Sequence, residues 1–133
     1  GFLCTLLFNF FISLFPDLKP AGISSVALLL GMENYSPIHY FVIVYLVLLA
    51  PIAEEYIFRG VMWQFFEAVF NKKIAYLLMT TVFCLVHAEF LHIISILPLS
   101  LFFGWLRYHS GKIHLPILAH IANNILATVI FIC

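Results

Sequence analysis

Glu54 and Glu55 lie in the run Ala53-Glu54-Glu55-Tyr56-Ile57-Phe58-Arg59-Gly60, within a chain that is 65% hydrophobic and only 9% charged. Ionisable groups inside apolar segments are costly to keep and point by default to function. On a helix, adjacent residues point about 100° apart, whereas residues four apart lie one above the other. Glu55 therefore aligns with Arg59, acid before base, and the pair reads as a salt bridge that neutralises both groups. Glu54 is left without a cationic partner on its own helix. Three more polar side chains occur where apolar ones would be expected: His87, closing Phe83-Cys84-Leu85-Val86-His87, and His120 with Asn124, four apart in His120-Ile121-Ala122-Asn123-Asn124. Each would need its own hydrogen-bond partner away from water, and one shared interior site satisfies them together.

Such a site can hydrolyse a peptide bond without a covalent intermediate. A carboxylate takes a proton from water, a histidine orients that water or later protonates the leaving amine, and a second histidine with an asparagine amide donates to the developing oxyanion. No serine or cysteine sits in a Gly-x-Ser-x-Gly elbow, so acyl-enzyme chemistry has less support. Zinc is the competing use of one glutamate and two histidines. No His-Glu-x-x-His helix is present, however, and an asparagine amide is a poor zinc ligand, so no cofactor is the expectation, with zinc as the alternative.

The elements that must position these groups are membrane helices. Soluble domains average roughly 25% charged residues. Here the formal net charge is zero, phenylalanine occurs fifteen times, and no basic run could track a phosphate backbone, so the partner is the lipid bilayer and not nucleic acid. Cys4, Cys84 and Cys133 lie in apolar runs without ligand spacing and read as small buried hydrophobes. A spanning helix takes about 20 apolar residues. By that ruler residues 1–15 form an apolar helix ending at Pro16, 17–22 a turn, and 23–32 a short or re-entrant segment. Ser36-Pro37 starts a helix that Pro51 should kink just ahead of the acidic pair. Phe58, Val61, Met62, Phe65, Phe66, Val69 and Phe70 then repeat at helical spacing with Arg59, Gln64 and Glu67 opposite, reading as an amphipathic surface helix, with a substrate groove as the alternative. Further runs cover 74–87, 91–108 and 116–133, with Ser110-Gly111-Lys112 as a turn. The expected fold is all-α: a polytopic transmembrane helical bundle of about five to six membrane segments, in one domain spanning 1–133. The start at Gly1, inside an apolar stretch, is compatible with missing upstream residues, and the first run does not read as a signal peptide. A hairpin of 74–87 with 91–108 puts the Lys72/Lys73 and Arg107/Lys112 loops on one face, cytoplasmic by their charge. Straight rods would then leave His87 and His120 at different depths, so tilt or a deep helix start is expected.

Glu54-Glu55-x-x-x-Arg59, Phe83-x-x-x-His87 and His120-x-x-x-Asn124, in that order on successive helices, resemble the CPBP or ABI family of intramembrane proteases, over roughly residues 45–130. That family includes the eukaryotic endopeptidase acting on prenylated CAAX proteins and bacterial proteins linked to bacteriocin processing and self-immunity. The resemblance implies Glu54 as general base, His87 as its partner on the water, and His120 with Asn124 as the oxyanion pocket. It makes Glu55 and Arg59, with Phe83 of the second motif, structural. It further implies a membrane-anchored or C-terminally tagged protein substrate, since compact bacterial members remove sorting tags, and a bacterial plasma-membrane location. Two other classes fit the same residues: a non-catalytic immunity-type membrane partner, and an ion-coupled carrier using the Glu/His chain as a relay. His39, His92, His109 and His114 sit near predicted helix ends and read as interfacial, and Glu89 falls roughly opposite His87.

Overall fold

The computed structural model describes residues 37–86 and 90–132, and these are helical apart from short turns. The expectations for 1–36, including the short segment 23–32 and Cys4, and those for His87, Glu89 and Cys133 lie outside the described residues. Four helices are described: α1 (37–69), α2 (Lys72–Leu85), α3 (Phe90–Ser110) and α4 (His114–Ile132). Each packs on the next, and α4 closes the ring against the middle of α1.

α1 is helical through Pro51. It passes through α-helix at Pro37–Val44, π-helix at Tyr45–Leu49, α-helix at Ala50–Glu55, π-helix at Tyr56–Met62 and α-helix at Trp63–Val69. A proline lacks the N–H of an ordinary turn, and a local π register absorbs that loss without breaking the rod. Among the described residues one helix, Tyr40–Val69, is long and apolar enough to cross a membrane. The stretch expected to form a surface helix is continuous with it.

The sides of that stretch are arranged as in a membrane protein. Arg59 is fully buried, while Val61 and Phe65 are about 60% exposed. Glu55 and Ser100 are also fully buried and Leu77 and Leu118 lie outside, so charged and polar groups are covered while large apolar side chains are exposed, a pattern that suits a lipid solvent.

Local signals set the helix ends. Asn71 is extended, and its side-chain oxygen accepts the Ile74 N–H at 3.0 Å, capping α2 two residues earlier than the apolar run alone indicates. Gly111, at φ +67°, ends α3 in the left-handed region, and its N–H returns to Arg107 O at 3.0 Å. The α2 stripe Ala75, Met79, Thr80, Phe83 and Cys84 is buried, as spacing on one helical face demands. Trp63, Ala75 and Met79 form the core where α1 meets α2. Lys72 Nζ lies 4.8 Å from the Tyr108 ring centre, so the Lys72 and Arg107 ends share one end of the α2–α3 hairpin.

That hairpin is close-packed at Gly104, where a Cβ would fall 2.7 Å from Tyr76 Cε2 and 3.2 Å from Thr80 Oγ1. The Tyr76 ring cannot easily yield, because its hydroxyl donates to Leu101 O at 3.2 Å and its edge meets Tyr108. Gly104→Ala is therefore expected to destabilise the bundle by about 1–3 kcal/mol. Reversible unfolding in mixed micelles measures it, and an unchanged midpoint would contradict this account of the packing.

Candidate active site

The acidic pair sits on the six-residue α-helical stretch between the two π-helical ones, and adjacency sends its members to different places. Glu55 is fully buried. Its Oε1 accepts from Arg59 Nη1 at 2.8 Å and lies 3.0 Å from His120 Nδ1 of α4. Arg59 Nη2 in turn donates to Ser100 Oγ at 3.0 Å and to Ser100 O at 3.3 Å, across the bundle on α3. The guanidinium lies 4.1 Å from the centre of the Phe83 ring, so an aromatic face helps to hold the charge away from water.

Glu54 turns elsewhere. Its side chain keeps 36% of its surface, and Oε2 stands 3.9 Å from His120 Nε2. That exceeds direct hydrogen-bond reach and is within the span of one bridging water. His120 is 8% exposed, stacked on Phe103 with ring centres 4.9 Å apart and edge-on to Phe83 at 6.1 Å. Its two nitrogens thus face two different carboxylates. With the Nδ1 proton donated to Glu55, Nε2 carries a lone pair in the neutral ring and a proton only in the imidazolium.

Asn124 lies on the same side of α4 as His120. Its Nδ2 donates to Leu46 O of α1 at 3.1 Å, and its Oδ1 accepts from Asn123 at 3.2 Å. One amide N–H is engaged in this way and the second is left to donate. Of the residues singled out by sequence, the structure gathers Glu54, Glu55, Arg59, Phe83 and His120 around one point between α1, α2 and α4, with Asn124 one turn along, while His87 lies outside the described residues. Among the described residues no group of three His, Cys, Asp or Glu side chains is placed to hold a metal ion.

Two members of the site have no role assigned from the sequence. Ser100 is a small polar residue in an apolar run, a signal of the same kind as His120 but easier to overlook. Phe103 is one of fifteen phenylalanines, and only the fold distinguishes it.

The family model described as type II CAAX prenyl endopeptidase Rce1-like matches residues 36–126, more than half of the 133. The chain belongs to this family. The Rce1-like match bears out the resemblance drawn from the three motifs, and the matched span includes every residue named for the site. The family is one of peptidases, and together with the apolar Tyr40–Val69 helix it marks a membrane protein. No curated protein and no solved structure matches the chain.

Proposed function

We propose that this Rce1-like chain, as a single domain over 1–133, is an intramembrane endopeptidase that hydrolyses a peptide bond near the membrane face. Glu54 removes a proton from the attacking water, whose oxygen bonds to the scissile carbonyl carbon. His87 shares that water and delivers a proton to the leaving amine as the C–N bond breaks. His120, as the imidazolium held at Nδ1 by Glu55, and the second N–H of Asn124 donate to the oxyanion. Glu55, Arg59 and Phe83 form the scaffold. The carrying observation is the divergence of the two glutamates: one is locked between Arg59 and His120, while the other is half-exposed, free of close partners and turned toward the far nitrogen of the same imidazole.

The proposed substrate is a membrane-anchored protein, either prenylated at a C-terminal cysteine or carrying a C-terminal sorting tag, in a bacterial plasma membrane. The Lys72/Lys73 and Arg107/Lys112 loops would face the cytoplasm, as their charge favours. No metal is assigned, because an amide and a lone carboxylate suit water activation better than zinc ligation. The test is cleavage of synthetic C-terminal peptides, with and without a farnesyl group, by full chain reconstituted in vesicles. Cleavage that withstands a zinc chelator is expected. Loss of cleavage on chelation, restored by zinc, would replace the water-activating glutamate with a metal centre. Vesicle uptake of an ion without any cleavage would favour a carrier.

A further inference from the structure

Among the described residues α1 alone departs from α-helical hydrogen bonding, and it does so twice, directly before and directly after the stretch bearing Glu54 and Glu55. In the first departure the Ala50 N–H reaches back five residues to Tyr45 O. The next link in that register would run from residue 51 to Leu46 O, but Pro51 has no N–H to donate. Leu46 O is taken instead by Asn124 Nδ2 from α4 at 3.1 Å. In the second, the Trp63 N–H points to Phe58 O and Gly60 O and passes over Arg59 O, its ordinary acceptor four residues back. Arg59 O receives Arg107 Nε from α3 at 2.9 Å, and that guanidinium rests on the Trp63 ring, 5.4 Å from its centre.

A backbone carbonyl left bare in a membrane interior costs several kcal/mol, so each loosened turn persists because a side chain from another helix satisfies it. Each also sets direction. One extra residue in a turn rotates everything beyond it by about 100° relative to an unbroken α-helix. We propose that the two side-chain clamps, Asn124 on Leu46 O and Arg107 on Arg59 O, fix the rotation of the intervening stretch and thereby aim Glu54 at His120. Pro51 and Arg107 are then positioning residues of the reaction, and Asn124 spends one amide N–H on alignment and keeps the other for the substrate. The inference rests on the proteolytic reading for its kinetic consequence only.

Pro51→Ala supplies the missing donor, so that in α register the residue-51 N–H bonds Val47 O and the Ala50 N–H bonds Leu46 O, removing the π turn and releasing Asn124. Arg107→Ala removes the second clamp. The full chain, reconstituted in nanodiscs with 13C-carbonyl labels at Leu46 and Arg59 and 15N-labelled histidine, gives three readouts: the carbonyl shifts, the His120 Nε2 shift and peptide cleavage. Pro51→Ala is expected to hold or raise the unfolding midpoint while kcat falls about 10- to 100-fold at nearly constant KM, with the Leu46 carbonyl and His120 Nε2 signals displaced. A residue serving stability alone would not gain stability and lose turnover together. Arg107→Ala is expected to lose kcat similarly and to recover part of it with added ethylguanidinium. Unmoved Nε2 and unchanged kcat in a Pro51→Ala protein whose Leu46 carbonyl has shifted would overturn the proposal, as would an unshifted carbonyl. If the unmodified chain cleaves none of the peptides, the proteolytic reading fails by itself, and the Nε2 signal alone decides whether the clamps aim Glu54.

Discussion

Replacing Glu54 with glutamine is expected to lower kcat by about 10²- to 10⁴-fold, the usual worth of a positioned general base, and to leave the bundle standing. The carboxamide matches the carboxylate in size but cannot take a proton from water. It disturbs little else, because Glu54 is half-exposed and the imidazole it faces is 3.9 Å away at Nε2. KM should therefore stay within a few-fold and the unfolding midpoint within about 0.5 kcal/mol of the parent, as for substitutions that break no buried contact. Initial-rate kinetics on reconstituted protein, paired with an unfolding curve, give both numbers. Full turnover by the Glu54→Gln protein would remove Glu54 from the chemistry and with it the mechanism proposed above. A protein that no longer folds would instead mean that Glu54 holds structure, contrary to its exposure.

The sequence exposes this site unevenly, for physical reasons. The Glu55 and Arg59 alignment is local geometry: four residues of helix bring the two together whatever surrounds them, and the 2.8 Å contact follows from spacing. The tie from Glu55 to His120, 65 residues on, depends on α4 closing the ring, which no local pattern encodes. Pro51 is legible as a perturbation of α1, yet its outcome is not. The π turn before it is matched by a donor from Asn124, 78 residues away from Leu46 in sequence. The apolar repeat from Phe58 to Phe70 is helical through Val69, and the fold decides which of its side chains are covered. Arg59 and Trp63 are fully buried, while Gln64, Val61 and Phe65 are exposed. Helix limits shift by a few residues where caps extend an apolar run, as Asn71 does for α2. His87, the one motif residue outside the described span, keeps its place in the site as a proposal.

Arg59→Met is expected to cost about 3–5 kcal/mol of stability, the penalty for stranding a buried charge whose partner has gone. Glu55 would be left as a carboxylate with no surface exposed, facing only the imidazole at 3.0 Å, and Ser100 would lose the donor to its hydroxyl. Glu55→Gln alone also leaves the buried Arg59 charge without its counter-ion, but it should cost less, since the amide oxygen can still accept from Arg59 and from His120 Nδ1. In the double variant no unpaired charge remains and the carboxamide at position 55 can still hold the imidazole, so much of the loss should return. The double-mutant cycle should then show a coupling of about 2 kcal/mol or more, read from reversible unfolding in mixed micelles. Simple additivity would mean that Arg59 is held mainly by the Phe83 face and Ser100, and Phe83→Leu, which removes the ring 4.1 Å from the guanidinium, would then become the costlier change. The cycle bears on catalysis as well as on folding. Arg59 holds Glu55 and Glu55 holds the Nδ1 edge of His120, so a stable double variant that cleaves slowly would show that the buried ion pair serves the reaction beyond its part in folding.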